Sequence, residues 1–307
     1  MILCLGLAAD ETFLYSLSAL KRAGIPFHAI DLVQLAYGGD IHIPLADLSS
    51  AEILLHGQRY RLCEYQGAWI RLLDISAGAP DADLEHRSQG LYQALSRMFS
   101  AAPLPVINPP FGENSNFAKV FHAVTLAAAG KWQIPRSCLT NDRHEVQQFL
   151  RTCPDGVIFK GASAVKTWAT LYDRQAHEER LPLIKDCPVL FQERIVGPDV
   201  RVHAVGDQVF AEMITSPDLD YRRVRKNTYR PISLPTTIAE GCRALTAFCE
   251  TPFLGIDFKV QEKTGEWFFL EANSLPCYQG YDRRAGGAIS QAIIDWLMAS
   301  VRCCSAQ

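Results

Sequence analysis

Several features that would place a chain in a common functional class are missing from this sequence. None of its ten cysteines forms a C-x-x-C pair, and the formal net charge of the 307 residues is only -3. A thiol-based metal or redox centre is therefore not indicated, and bulk charge gives no reason to expect binding to nucleic acid or to an anionic membrane. Because most cysteines lie in apolar segments, we expect reduced thiols and a cytoplasmic protein.

Long apolar runs are absent as well. The segment MILCLGLAADETFL has no basic region and reaches acidic residues at Asp10 and Glu11. A membrane-spanning helix needs about 20 apolar residues, so we interpret this segment as a buried strand. GLAAD also lacks the glycines of a dinucleotide-binding loop, which argues against a Rossmann cofactor site.

What is present is an alternation of strands and helices. The sequence predicts a βα unit followed by a second strand: a strand at ILCLGL, a helix that ends at Gly24, and a strand at PFHAIDL. Short strand signals fill residues 41–73, and a helix is predicted over residues 83–101. The prolines that follow VIN interrupt regular structure, so we place a domain boundary at residue 107.

The remainder predicts a larger α/β (α+β) unit, for which the 48% hydrophobic composition supplies enough core material. A helix carries Lys119 in its first turn, and further helices are predicted at residues 142–152 and 237–250. Between them lies a run of strands from GVIFKG to QVFAEMI. FLGIDFKVQ and EWFFLEAN then predict a hairpin, and AISQAIIDWLMASV a closing helix.

The hairpin carries the strongest functional signal. Asp257 lies between Ile256 and Phe258, and Glu271 and Asn273 follow an apolar run. Both carboxylates therefore emerge from core strands, where an unpaired charge is costly. Magnesium requires oxygen ligands held close together and often shares phosphate oxygens. We predict a nucleotide-bound magnesium site here, with a pair of solvated surface acids as the plainer alternative.

These segments resemble the ATP-grasp superfamily, in particular its RimK-like and glutathione-synthetase-like carboxylate-amine ligases and its ribosomal-peptide-modifying branch. FLGIDFKV with WFFLEANSLP is similar to the paired metal strands of that family, and VIFKG to the strand whose lysine contacts ATP phosphates. VLFQERIVGPDVRVHAVGDQVFA resembles its hinge and the strands that follow. The resemblance implies an ATP-grasp fold of two α+β subdomains that clamp ATP, preceded by a small α/β domain.

The same resemblance implies where the units begin and end. They are a pre-ATP-grasp domain at residues 1–107, a central subdomain at 108–190, a C-terminal subdomain at 191–302 and a tail at 303–307. The cofactors it implies are ATP and Mg2+, expected as two ions that Mn2+ can replace. The expected magnesium ligands are Asp257, Glu271 and Asn273.

The resemblance also implies which side chains contact ATP and substrate. Contacts to ATP are expected from Lys119, Lys160, Lys166, Gln192, Glu193, Arg194, Ile195 and Arg201. Family members often have a glycine-rich loop after the strand lysine, whereas GASAVKTWATLYD has one glycine, and Ser163 and Lys166 are expected to serve instead. Catalytic roles are expected for Lys160, Arg201 and Arg222.

Two of these assignments have alternatives in the residues themselves. Lys160 leaves an apolar strand just before Gly161, which suits it to bind an anion in a cleft, although a surface lysine is the plainer interpretation. Arg201 follows Asp199 by two residues on an alternating strand, so the pair share a face and could form a salt bridge instead of binding phosphate.

One long polar stretch, residues 215–233, is expected to bind substrate, because loops of this length in compact domains are usually functional. Its cations suit a carboxylate and an acylphosphate, and a solvated basic loop is the alternative. With the segment CYQGYDRRAGG, it supplies the predicted substrate contacts: Arg222, Arg225, Tyr278, Tyr281 and Arg283.

The activity implied by the resemblance is ATP-dependent ligation. A carboxylate attacks the γ-phosphate to give an acylphosphate and ADP, and an amine or hydroxyl then displaces phosphate. The expected partner is a small molecule or peptide with a carboxylate, and a homo-oligomer is allowed. Two alternatives stay open: a peptide-modifying, macrocyclising ligase that forms amides or esters, and a non-catalytic ATP-binding regulatory protein, against which the intact Asp257, Glu271 and Asn273 set argues.

Overall fold

The structure is a computed structural model that describes residues 1–110, 118–161, 168–223 and 226–304, with side chains described up to residue 299. Within these ranges no helix has both the length and the apolar character needed to cross a membrane.

Residues 1–107 form an α/β unit with two sheets. Its elements are β1 (Ile2–Gly6), α1 (Glu11–Arg22), β2 (Phe27–Asp31), α2 (Leu32–Gly38), β3 (Asp40–His42), β4 (Glu52–Leu55), β5 (Gln58–Arg61), β6 (Gly67–Ile70), α3 (Ala82–Ser100) and β7 (Val106–Ile107). A parallel sheet has the order β2-β1-β6-β7, while β3, β4 and β5 pair antiparallel in a second sheet. The short strand signals over residues 41–73 therefore divide between two sheets.

A helical segment and a four-stranded sheet follow. The helical segment consists of α4 (Lys119–Phe121), a π-helical turn (His122–Leu126) and α5 (Ala127–Gly130). The sheet elements are β8 (Ser137–Thr140), α6 (Arg143–Thr152), β9 (Val157–Gly161), β10 (Thr170–Leu171), α7 (Arg174–His177) and β11 (Val189–Glu193). The sheet order is β10-β9-β11-β8 and the pairing is antiparallel.

The expected subdomain boundary at residues 190/191 requires correction, because it falls inside β11. Val189 pairs with Thr140 and Glu193 with Val157, so this strand is hydrogen-bonded along its length into the central sheet. The central sheet therefore continues to Glu193, and the connection to the next sheet begins after it.

The last unit is built on a five-stranded antiparallel sheet of order β14-β13-β12-β15-β16. Its elements are β12 (Asp199–Val205), β13 (Gln208–Thr215), β14 (Thr228–Pro231), α8 (Thr236–Phe248), β15 (Phe253–Val260), β16 (Trp267–Asn273), α9 (Gln279–Arg284) and α10 (Ala288–Cys304). The final helix includes Cys303 and Cys304, which the sequence placed in a tail, whereas residues 305–307 lie outside the described residues.

Strand alternation gives this sheet one apolar and one polar face. On the apolar face, Val200, Val202, Ile256 and Phe258 pack in a core that also takes Leu126 from the π-helical turn. Most alternate positions of β12 and β15 are polar or glycine and point to the other side, where Val205 and Phe253 at the strand ends pack in a separate core with α10. Burial of the apolar face thus fixes the direction in which the polar side chains project.

The N-terminal unit is tied to the segment that follows β16. Arg71 is 5% exposed and donates to Asp10 at 2.7 Å and to the carbonyl oxygen of Pro276 at 3.2 Å. Asn108 bonds the Phe253 backbone N–H at 2.9 Å and also donates to the Ser274 carbonyl oxygen. These buried bonds hold the end of β16 in a fixed position relative to residues 1–108.

Candidate active site

A row of charged side chains crosses the polar face of the five-stranded sheet. In the strand register, Arg201 lies directly opposite Glu212 on one side and Asp257 on the other, and Asp257 lies opposite Glu271. Directly opposite residues on antiparallel strands project to the same face. The row therefore places one guanidinium and three carboxylates side by side, as the hairpin pattern predicts for Asp257 and Glu271.

The three expected magnesium ligands form one compact group at the end of this row. Asn273 Nδ2 lies 3.5 Å from Glu271 Oε1. Burial raises the pKa of Asp257, and the Glu271 carboxylate adds to that effect against the opposing influence of Arg201. Burial would also raise the pKa of Glu271, but Lys160 and Arg222 bring it below its ordinary value. Cations on both sides therefore oppose the cost of burying two adjacent carboxylates.

Arg201 is held flat against the sheet by its neighbours. The side chain is 7% exposed, and Nη1 donates to Asp257 Oδ2 at 2.7 Å. An added Cβ at Gly255 would lie 1.9 Å from Arg201 Nη2, so only glycine leaves room for the guanidinium there. Asp199 pairs with Lys259 at 2.9 Å, so the salt bridge between Arg201 and Asp199 that the strand pattern allowed is not formed.

Lys160 reaches this group from the central sheet. Burial lowers its pKa, while the Glu271 carboxylate acts in the opposite direction and Lys119 and Arg222 lower it further. Each of these influences requires proximity, because Coulomb interactions weaken with distance. The structure therefore brings Lys160, Lys119, Arg222 and Glu271 together, although they lie on different elements.

Arg222 lies in the turn Tyr221–Arg223 and approaches Glu271 from the C-terminal unit, whereas Lys160 approaches it from the central sheet. Its Nε and Nη2 donate to the two oxygens of Asp220 at 2.8 and 2.7 Å, and its Nη1 lies 4.0 Å from Glu271 Oε1. The predicted contacts Lys166 and Arg225 lie outside the described residues.

The residues expected at the adenine slot lie at the end of β11 and in the connection to β12. Gln192 is buried and donates to Ser137 Oγ at 2.9 Å, and Ile195 is buried as well. The Arg194 N–H donates to the Gly156 carbonyl oxygen. Glu193 is bonded by Arg136 at 2.8 Å, so its carboxylate already has a cationic partner.

The substrate residues predicted from CYQGYDRRAGG lie in different parts of the structure. Tyr281 contacts His203 with ring centroids 4.7 Å apart and the rings tilted by 53°, and so adjoins Arg201. Tyr278, in contrast, is 1% exposed and bonds Ser16 Oγ at 3.0 Å. Arg283 lies over the Tyr15 ring. Tyr278 and Arg283 both face α1, because α9 packs against the N-terminal unit on that side. Tyr278 is buried there, whereas Arg283 is exposed and its substrate role stays a prediction.

Sequence reasoning missed several side chains that surround the predicted ones. His203 lies beside Arg201 with Nε2 3.5 Å from the arginine Nε, and alternation along β12 could have revealed it. His122 Nδ1 accepts from the Ala272 N–H at 3.4 Å, next to Glu271. Glu212, bonded by Arg284 at 2.6 Å, could be found only from the strand register.

The donor set fits a nucleotide-bound magnesium ion. Two facing carboxylates and an amide supply hard oxygen ligands, and the surrounding cations suit phosphate. Among the described residues, no three His, Cys, Asp or Glu side chains cluster as a complete metal cage. That is consistent with a magnesium site that shares ligands with a nucleotide, since such sites use one or two protein carboxylates.

Comparison with known proteins gives matches only among solved structures. No protein-family model matches the sequence, and no curated protein matches it. The macrocyclase MdnC of Microcystis aeruginosa MRC, solved with precursor peptide MdnA, is 21% identical with a TM-score of 0.82, covering 97% of this chain and 99% of that one. The ATP-grasp ligase PsnB, solved with minimal precursor, Mg and ADP, is 23% identical with a TM-score of 0.79, covering 96% and 97%.

A third solved structure is also similar to this chain. The RiPP-associated ATP-grasp ligase of Chryseobacterium gregarium, solved with ADP and a leader and core peptide, is 18% identical with a TM-score of 0.79, covering 96% of each chain. All three likenesses extend over nearly the whole chain, including residues 1–107. The chain therefore has the ATP-grasp fold, as its hairpin and strand motifs predict.

Proposed function

We propose that this protein is an ATP- and magnesium-dependent ligase that activates a carboxylate of a peptide substrate and joins it to an amine or a hydroxyl. The observation that carries the proposal is the facing pair Asp257 and Glu271, enclosed by Lys160, Arg201 and Arg222. Phosphoryl transfer needs alignment and charge neutralisation more than covalent help from the protein. A site of two carboxylates within three cations is suited to that task.

Each side chain has a part in this proposal. Asp257, Glu271 and Asn273 would hold magnesium, which when bound neutralises charge on the phosphates. Arg201, which is buried, and Lys160, which is partly exposed at the end of β9, present fixed positive charge to a phosphate without the cost of reorganisation. Arg222 keeps Nη1 toward Glu271 and is placed to bind the substrate carboxylate.

The proposed reaction has two balanced steps. A substrate carboxylate oxygen bonds to the γ-phosphorus as the bond to the β-phosphate oxygen breaks, and ADP leaves. The amine or hydroxyl then bonds to the acyl carbon, phosphate leaves, and the proton of the nucleophile passes to solvent. The net change in the joined product is the loss of one water for each bond formed.

A peptide substrate is favoured over a free amino acid by the comparisons. The three similar structures were solved with a precursor peptide, a minimal precursor, or a leader and core peptide. The basic turn at Arg222 and Arg223 is compatible with acidic side chains. Ligation of small amino acids is the second candidate within the same chemistry, and a cytoplasmic location and a homo-oligomer stay predictions.

The first experiment is measurement of ADP and phosphate release by the purified protein with ATP, magnesium and pooled acidic peptides and amino acids, followed by mass spectrometry of the products. Release of ADP with loss of one water per new bond supports the ligase and identifies its substrate. Nucleotide binding with no release from any pool would contradict the ligase and favour a regulatory ATP-binding protein.

The variant Lys160→Met tests the proposed contact of Lys160 with the nucleotide phosphates, and this test needs no peptide substrate. Removing an ammonium from a phosphate site should weaken MgADP binding at least about tenfold in calorimetric titration. Lys185→Met is the matched control, because Lys185 is exposed on a distant helical turn and should leave the affinity unchanged. Equal affinities in all three proteins would remove Lys160 from the site.

A further inference from the structure

Asp220 is a buried carboxylate that the proposed chemistry does not use. The residue is 6% exposed, although it lies in a polar stretch between β13 and β14. A buried carboxylate is costly unless it is bonded from several directions. In this structure it accepts from the Arg222 side chain, from the Arg222 backbone N–H at 3.2 Å and from the Ala169 backbone N–H.

The bond to Arg222 uses two of the three guanidinium nitrogens. Nε and Nη2 each donate to a different oxygen of Asp220, which is the two-point geometry that fixes a guanidinium plane. Nη1 is left facing Glu271 at 4.0 Å. The orientation of Asp220 therefore decides which nitrogen of Arg222 is directed at the proposed reaction site.

A second contact acts on the same guanidinium from the central subdomain. Arg222 Cζ lies 5.7 Å from the centre of the Trp168 ring, which is a cation-π distance. Trp168 and Ala169 directly precede β10, so one dipeptide both stacks on the arginine and donates to its carboxylate partner. Two subdomains thus converge on the position of a single side chain.

The electrostatics agree with this geometry. The bond from Asp220 raises the pKa of Arg222, so the guanidinium stays charged. Burial alone would raise the pKa of Asp220, but the bonds from Arg222 and from the two backbone N–H groups bring it below its ordinary value. Both partners are therefore charged at neutral pH.

We infer that Asp220 is a positioning residue, assisted by Trp168, that fixes Arg222 so that its Nη1 binds the substrate carboxylate. This inference rests on the proposed function for the identity of the substrate group. Asp220 itself touches neither nucleotide nor substrate. It determines how well Arg222 docks the carboxylate. Its charge also acts on Lys160, but less than the charges of Glu271, Lys119 and Arg222 do, so nucleotide binding should change little when Asp220 is replaced.

The kinetic test uses Asp220→Asn, which keeps the shape and removes the charge. With the peptide found by the ADP-release screen, we expect KM for that peptide to rise about tenfold, kcat to change less than about threefold, and MgADP affinity to stay within about twofold. In an Arg222→Ala background, Asp220→Asn should add nothing. Asp218→Asn is the matched control from the same stretch, since among the described residues the Asp218 carboxylate accepts from the Leu219 N–H of its own loop.

Chemical modification provides a measurement that needs no substrate. Phenylglyoxal should modify Arg222 more slowly than its neighbour Arg223, as read by peptide mass spectrometry, because both side chains are exposed but Arg222 is bonded to Asp220. In Asp220→Asn the Arg222 rate should rise at least about fivefold while the Arg223 rate is unchanged, because the two-point bond is lost. Trp168→Ala should give a smaller increase in the same direction.

The results distinguish a failure of the positioning role of Asp220 from a failure of the proposed ligase function. Unchanged modification of Arg222 in Asp220→Asn, or equal losses of peptide and MgADP binding, would overturn the positioning role. If the wild-type protein turns over no peptide but Arg222 modification accelerates as expected, then the proposed ligase function fails and the Asp220 contact stands. Additive effects of Asp220→Asn and Arg222→Ala would also contradict the inference.

Discussion

Gly255→Ala should displace Arg201 from the site without changing any charged residue. The new Cβ would lie 1.9 Å from Arg201 Nη2 and 2.6 Å from Pro276 Cβ. Real side chains do not approach this closely, so the guanidinium must leave the surface of the sheet. The ion pair with Asp257, now 2.7 Å long, would then be lost.

The expected cost follows from two known effects. Overpacking a buried site costs about 1 to 3 kcal/mol, and a buried carboxylate that loses its partner costs about 3 to 5 kcal/mol. Since Arg201 is still present and can reach water, we expect an unfolding free energy about 3 kcal/mol lower. At about 2 to 4 °C per kcal/mol for a chain of this size, the melting temperature should fall by about 6 to 12 °C.

The assay combines thermal and urea unfolding with calorimetric titration of MgADP. Gly90→Ala is the matched control, because Gly90 is exposed on α3 with nothing within 4 Å of an added Cβ. Replacing this helical glycine by alanine should raise the free energy of unfolding by about 1 kcal/mol. If Gly255→Ala melts within about 1 °C of the wild type and binds MgADP equally well, the placement of Arg201 over Gly255 is refuted.

Three further predictions concern other parts of the molecule. Glu271→Gln should abolish ADP release while leaving the melting temperature nearly unchanged, because the metal ligand is lost but the shape is kept. Asp199 has its pKa raised by burial to about 6, so its folded form binds a proton more tightly than the unfolded chain. Wild-type stability relative to Asp199→Asn should therefore increase by about 1 to 3 kcal/mol as pH falls from about 7 to about 4, measured by urea unfolding. Arg71→Met should lower the unfolding free energy by about 3 kcal/mol, because it strands the partly buried Asp10 carboxylate.

Each of the three has a control in the same chain. Glu266→Gln changes an exposed glutamate on the same hairpin and should leave ADP release intact; wild-type turnover in Glu271→Gln would reject the metal assignment. A pH-independent difference between wild type and Asp199→Asn would reject the raised pKa. Arg59→Met removes an arginine that is 57% exposed and leaves Glu52 paired with Arg61, so it should cost less than about 1 kcal/mol. An equal loss in Arg71→Met would show that the buried contact stabilises the fold no more than an exposed one.

The parts of the fold set by local pattern were predictable. Alternating apolar residues place β15 and β16, and the turn between them sets the register that brings Asp257 opposite Glu271. The helices predicted at residues 83–101, 142–152 and 237–250 agree with α3, α6 and α8 within about two residues, the usual uncertainty of helix ends. Amphipathic period and caps are local, so the sequence carries them directly.

The parts of the fold and of the site that tertiary packing determines were not predictable from the sequence. Alternation shows that Asp199 and Arg201 share a face, but only the neighbouring strand shows that Arg201 pairs with Asp257. Tyr278 has the polar tip of a binding residue, yet its ring fills the space between Trp69 and Phe253. In both cases the deciding neighbour is distant in sequence and leaves no local signal.

The way α10 packs has a consequence for synthesis of the chain. Ile289, Ala292 and Leu297 of this helix share one core with Ile2 and Cys4 of β1. During translation, that face of the first strand is covered by Phe13, Leu20 and Trp69 but not yet by α10. Domains usually fold in the order in which they are made, but here the core around β1 is completed by a helix that is made much later, so the N-terminal unit stays partly open until α10 has been synthesised.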